Sequence, residues 1–239
     1  MHTDYIVTQF FTPEQLKKVY YYAGQLEFED GVNAFNLKDP KLKEEVYSLK
    51  KNHEAAIRAD IFVDFLENKR FSEILRNHIY PKHIRDCVIS VYREGDYYKA
   101  HNGPAHGDHL TSIMLTPEED YTGGDYCLLV DGKVERFKLK AGEAITHYAG
   151  LPIHIDTVTS GVKMTLEVIT YSQVTRKEHR DKLINLKRTA DKWEGITIHS
   201  VDTLEAFRDN ELLTTLRDVQ NIEREYVNFN TTPETTETT

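Results

Sequence analysis

The chain has 239 residues, with 30 Lys plus Arg against 39 Asp plus Glu and a formal net charge of −9. That balance and a pI near 5.7 argue against a generic nucleic-acid or anionic-membrane binder, because phosphate recognition needs a concentrated positive field, though a local basic pocket remains compatible. A hydrophobic fraction of 39% and a mean hydropathy of −0.56 describe a soluble globular chain long enough to bury a real core. No apolar run approaches the roughly 20 residues needed to span a bilayer. The start, Met1 to Tyr5, lacks a basic segment followed by an apolar one, so a cytoplasmic location is expected. Cys87 and Cys127 have no CxxC spacing, which points to reduced core thiols rather than a disulfide framework or zinc site.

In chain order, Thr12 to Leu26 predicts a helix. Thr12 can cap, Pro13 suits the first turn, and Leu16, Val19, Tyr20 and Ala23 form an apolar stripe. Helical spacing returns from Asp39 to about Asn52 and from Ala55 to His78, predicting helices that cover one face of a sheet. The middle then changes to short β-rich runs: Val88–Tyr92, Leu110–Leu115, Asp125–Val130, Glu135–Leu139, Glu143–Tyr148 and Met164–Thr170. Turn signals such as Gly123-Gly124 and Asp131-Gly132 separate them. Many short strands at this spacing favour a sandwich or jelly roll, and the flanking helices make the whole chain α+β. After Tyr171 a charged, Leu-spaced pattern predicts a helical extension, and the Thr/Glu-rich end from Thr231 predicts a disordered tail. The lone Trp193, with the stretch to His199, is read as core packing before a flap.

Two histidines stand out against a background in which most of the 11 His are structural or exposed. His101 closes the run Tyr97-Tyr98-Lys99-Ala100, and His154 lies in Leu151-Pro152-Ile153-His154-Ile155 between two extended segments. Histidine is the commonest metal ligand, and two strand ends can meet across a barrel mouth.

The arrangement Tyr92-x-x-Gly95-x-x-Tyr98-x-x-His101 resembles the opening Y-x-x-G-x-x-Y-x-x-H-x-D pattern of prolyl 4-hydroxylase-like Fe(II)/2-oxoglutarate oxygenases. Further segments resemble the bacterial PKHD-type hydroxylase subgroup in the same order. These are Lys51-Asn52, the hairpin Asp120-Tyr121-Thr122-Gly123-Gly124-Asp125, the turn Lys138-Leu139-Lys140-Ala141-Gly142-Glu143, and His154 through Val158-Thr159-Ser160-Gly161-Val162-Lys163. The resemblance covers roughly Tyr5 to Arg180. It implies a double-stranded β-helix, a cupin-like jelly roll, at residues 1–180 with its β-core at about 84–173, a helical extension at 181–230 and a tail at 231–239.

The resemblance also implies Fe(II) on His101 and His154, 2-oxoglutarate on Lys163 with Tyr92 beside it, and reaction with molecular oxygen; a small polar substrate such as an amino acid or nucleotide-like metabolite is expected by analogy with the superfamily's halogenases alone. Two departures stand out. Lys163 replaces the subgroup's usual Arg, retaining a cation without the bidentate fork. Gly103 replaces the metal-binding Asp, and glycine has no ligand atom. In radical halogenases of this superfamily, chloride fills that vacated position, and the H-x-G pattern favours such an enzyme. A hydroxylase with two His ligands, or with Asp108 recruited from a shifted His106-Gly107-Asp108 triplet, is the alternative. A non-catalytic binding module is the third. Asp108 and Asp156, with His106 or His109, are candidates for substrate recognition near the mouth.

Overall fold

The computed structural model describes residues 5–31, 40–57, 81–102 and 108–172, and beyond them positions 174, 176, 178, 179, 213, 214, 217, 218 and 221. All but five positions of the expected C-terminal extension, together with the tail, Gly103, His106 and Trp193, lie outside the described residues. The strands are β1 (Tyr5–Gln9), β2 (Glu29–Asp30), β3 (Lys50–Lys51), β4 (His53–Ala56), β5 (Pro81–Arg93), β6 (Tyr97–Asn102), β7 (His109–Met114), β8 (Tyr121–Gly123), β9 (Tyr126–Val130), β10 (Lys133–Phe137), β11 (Glu143–Tyr148), β12 (Pro152–Ile155) and β13 (Val158–Ser172). The helices are α1 (Pro13–Ala23) and α2 (Pro40–Leu49).

Two antiparallel sheets form the core. The larger runs β1-β11-β7-β13-β5-β4-β2, with β8 also on β13, and the smaller runs β10-β9-β12-β6-β3. Strands distant in sequence are therefore neighbours, as a jelly roll requires. Between the sheets lies one apolar layer with Tyr92, Leu110, Met114, Tyr126, Leu128, Ile145, Ile153 and Ile155. A second layer, with Phe10, Phe11, Val19, Ala23, Ile113, Leu166 and Val168, joins the back of the larger sheet to α1.

Helix α1 starts where the sequence predicts. Gln15 N–H donates to Thr12 Oγ1 and Thr12 N–H to Gln15 Oε1 at 3.3 and 2.9 Å, a reciprocal capping box that pairs two otherwise orphaned donors. The predicted helix from Ala55 is not one at its start. His53–Ala56 is a strand on β5, with Ala55 opposite Ile89, and 58–80 lie outside the described residues. Here tertiary pairing with a long neighbouring strand overrides a local helical pattern. No helix among the described residues is long and apolar enough to cross a membrane.

Candidate functional site

Period-2 alternation decides which β13 residues enter the space between the sheets. Leu166 and Val168 belong to the layer behind the larger sheet, so Lys163, Thr165, Glu167 and Ile169 face the interior. Lys163 is 0% exposed and lies opposite Tyr92 on β5, its Nζ 5.5 Å from the Tyr92 ring centre. It donates to the Gly124 carbonyl at 2.7 Å.

That carbonyl is aimed by the Gly123-Gly124 turn. Gly124 has φ +65°, and a Cβ there would come within 2.9 Å of Val158 and 3.3 Å of the Lys163 stem. Only glycine holds this conformation without strain while letting the lysine pass. Lys138 completes the turn from outside by donating to the Gly123 carbonyl at 2.8 Å. Burial pulls the Lys163 pKa down to about 8, against an upward pull from Glu167. A buried cation whose short hydrogen-bond partner is a neutral carbonyl keeps a charge that a carboxylate could neutralise.

Several charged groups share this interior that sequence reading passed over. Glu54 accepts from Asn52 at 3.0 Å and from Ser90 at 3.3 Å, and pairs with the buried Lys50. Lys50 also lies 4.9 Å from the Tyr98 ring centre. Burial, then the nearby Glu54, raises the Glu167 carboxyl to about 7. A carboxylate within the apolar run Met164–Ile169 was the available signal, because an interior strand face rarely carries one without a task. His147 bridges the sheets: its Nε2 meets the Tyr126 hydroxyl and its Nδ1 the Tyr148 carbonyl, both at 2.7 Å. Since a carbonyl only accepts, Nδ1 carries the proton and Nε2 accepts from tyrosine. Burial lowers its pKa to about 4, keeping it neutral.

His101 also faces inward. It lies opposite Ile153, an interior residue, and stacks on Tyr98 with ring centres 3.6 Å apart. Its Nδ1 donates to the Lys99 carbonyl at 2.8 Å, which leaves the Nε2 lone pair available for a metal, the tautomer that ligation requires. Burial first, then the charges of Lys50 and His154, lower its pKa.

His154 faces the other way. On β12, Ile153 and Ile155 lie opposite Leu128 and Tyr126 while His154 lies opposite Cys127. The two isoleucines and their partners fill the interior layer, so His154 and Cys127 project from the outer surface of the smaller sheet. The residues expected to form an iron pair are therefore on opposite faces of that sheet. Asp156 follows His154 outward, its Oδ1 3.0 Å from Nε2, and pairs with Arg136. Cys127, expected as a core thiol, is buried under these polar side chains rather than in either apolar layer. Asp108 is structural in its contacts: its Oδ2 accepts from Ser172 N–H at 2.8 Å and its N–H donates to Thr170, pinning β13 to the loop before β7.

Against a three-ligand iron shell, the described residues place one expected imidazole, His101, on the inner face. Gly103 contributes no ligand atom by its chemistry. Among the described residues His101 and His154 do not share a face, and residues 103–107 lie outside them. Against 2-oxoglutarate the fit is good, with a buried cation, an aromatic neighbour and a neutral carbonyl that a carboxylate can outcompete.

No family model matches the chain. It is 30% identical over 148 residues to a PKHD-type hydroxylase of Acaryochloris marina, covering 58% of this chain and 67% of that one. A PKHD-type hydroxylase of Rippkaea orientalis is 24% identical over 188 residues, 75% of this chain and 83% of the relative. Among solved structures, an oxidoreductase of the 2OG-Fe(II) oxygenase family from Burkholderia pseudomallei superposes with a TM-score of 0.55 at 13% identity, covering 71% of this chain and 86% of that one. At that identity the likeness supports the jelly-roll fold.

Proposed function

The chain belongs to the PKHD-type hydroxylases, oxygenase-fold oxidoreductases of the Fe(II)/2-oxoglutarate class, and from this we propose that it is a hydroxylase in which Lys163 receives the distal carboxylate of 2-oxoglutarate. The observation that carries the reading is the Lys163 ammonium, wholly buried between the sheets and hydrogen-bonded to the backbone carbonyl of Gly124. Bound 2-oxoglutarate supplies two electrons toward reduction of dioxygen and leaves as succinate and carbon dioxide.

The chain's own residues do the positioning. Lys163 exchanges a carbonyl for a carboxylate, a charge-assisted bond about twice as strong as a neutral one. Tyr92, 1% exposed and held protonated by burial, walls the lysine off from water. His101 presents the inner imidazole for Fe(II). Glu167, with a pKa near neutrality, can hold or release a proton inside the cleft. The mixed lining of Lys50, Glu54 and Glu167 supports a small polar substrate, of the amino-acid or nucleotide-like class.

Anaerobic addition of Fe(II) and 2-oxoglutarate, followed by visible charge-transfer absorbance and then by succinate release in air, tests this reading. Absorbance and succinate are expected; neither signal across a panel of polar metabolites would sink it. Chlorination rests on a different observation, the absence of a ligand atom at Gly103. The outward His154 counts equally against both readings, since each draws on two imidazoles, and the likeness to PKHD-type hydroxylases is what favours hydroxylation. A chloride-dependent shift of the same absorbance would favour the halogenase.

A further inference from the structure

The outer surface of the smaller sheet carries a cluster that the hydroxylase reading does not use. We propose that Cys127, His154 and Asp156 form a second metal site, for a divalent ion of the zinc type, with Arg136 as its built-in competitor.

The geometry comes from three neighbouring strands. Arg136 on β10 lies opposite Cys127 on β9, Cys127 lies opposite His154 on β12, and Asp156 stands two residues further on the same side. One ligand atom from each of Cys127, His154 and Asp156 lies within 4.8 Å of the others. The Asp156 carboxylate reaches both partners through different oxygens, Oδ2 lying 3.6 Å from Cys127 Sγ and Oδ1 3.0 Å from His154 Nε2. A tetrahedral zinc with bonds of about 2.0–2.3 Å sets ligand atoms roughly 3.3–3.8 Å apart.

The donor chemistry selects the ion. Thiolate, imidazole and carboxylate together suit zinc and its borderline neighbours, whereas magnesium and calcium prefer all-oxygen shells. Three protein ligands leave a fourth position open. A groove of about 510 Å³ borders His154 and Asp156, its other walls being Tyr97, Tyr98, Lys99, Ala100, Ile155 and Thr157, so it opens along the β6–β12 seam where inner-face and outer-face residues meet.

Arg136 places positive charge where the ion would sit. Its Nη1 contacts both Asp156 Oδ2 and the Cys127 sulfur, the latter at 3.4 Å. The side chain is 54% exposed, so it can swing into solvent when the ion binds. Surface ion pairs of this kind contribute little stability, and a metal can displace one.

Cobalt(II) is the probe, titrated into the reduced full-length protein. Sulfur-to-cobalt charge transfer in the near ultraviolet reports thiolate ligation alone, so it is independent of whether the barrel takes iron or 2-oxoglutarate. The band is expected in the wild type and expected to vanish in Cys127→Ser, whose fold is checked by its melting temperature. His154→Ala is expected to weaken cobalt by more than the about 10- to 100-fold typical of losing an outer-shell partner. Arg136→Met is expected to bind cobalt more tightly than the wild type. A band that survives Cys127→Ser, and so arises from Cys87, would overturn the proposal. So would the absence of any band in both the wild type and Arg136→Met.

Discussion

Lys163 and Glu167 occupy one face of one strand, four residues apart, and their shifted titrations have the same origin, since burial disfavours the charged form of each. With Lys163 as the proposed receptor, 2-oxoglutarate binding gains a pH dependence. The ammonium would be the binding form, and with a pKa of about 8 its population falls on the alkaline side. Affinity measured by calorimetry should hold between pH 6.5 and 7.5 and decline above about 8; affinity flat to pH 9.5 would argue that another group receives the carboxylate.

For Glu167 the shift acts on stability. The folded chain keeps this proton up to about pH 7, whereas an unshifted carboxyl releases it near 4.5. Between those values the folded state binds more protons than the unfolded one, so stability falls as pH rises through the window. Glu167→Gln removes that loss. The variant should resist urea better than the wild type at pH 8, by about 1–3 kcal/mol, and match it near pH 4.5. A variant no more stable at pH 8 would mean that Lys50 and Lys163 already compensate the buried charge.

At the scale of elements, β12 and the Gly123-Gly124 turn decide what the interior contains. The strands around the cleft were legible from alternation and turn residues because one of their faces is buried, and burial writes itself into sequence as period 2. The side on which His154 falls was less legible. A one-residue slip sends every side chain to the other face, and in Leu151-Pro152-Ile153-His154-Ile155 the apolar residues flanking His154 were the signal that histidine is the outward one. Glu167 and Lys50 escaped notice because charged residues within helical or strand runs resemble ordinary surface polarity until the partners are known.

The strand reading makes a paired prediction. His154→Ala should leave Fe(II) binding in the barrel unchanged, whereas Ile153→His, placing an imidazole opposite His101, should strengthen it. Anaerobic iron titration distinguishes these, and loss of barrel iron in His154→Ala would reverse the assignment. Gly124→Ala tests the turn. Its positive φ and the 2.9 Å approach to Val158 predict a loss of about 1–3 kcal/mol in stability, together with weaker 2-oxoglutarate binding as the carbonyl leaves Lys163.

Across the whole molecule, two sheets are joined by an apolar layer that also holds ionisable groups, and their titrations oppose one another. His147 stays neutral down to about pH 4 in the fold, while an unshifted imidazole protonates near 6.5. Acid therefore favours the unfolded chain over that range. Glu167 acts in the opposite direction between about 7 and 4.5, so the wild type should show a shallow acid limb. In Glu167→Gln the His147 contribution stands alone, and stability should fall more steeply from pH 6.5 to 4.5. Equal slopes in urea melts would remove either His147 or Glu167 from the explanation.

The most direct test of the co-substrate site is calorimetric titration of 2-oxoglutarate, with Fe(II) under anaerobic conditions at pH 7, into the wild type and Lys163→Met. Saturable binding is expected in the wild type. Loss of a buried charge-to-carboxylate contact, about 2–5 kcal/mol, should weaken it by roughly 30-fold or more in the variant. Equal affinities in the two proteins, or no binding to the wild type, would contradict the assignment of Lys163 as the residue that receives 2-oxoglutarate.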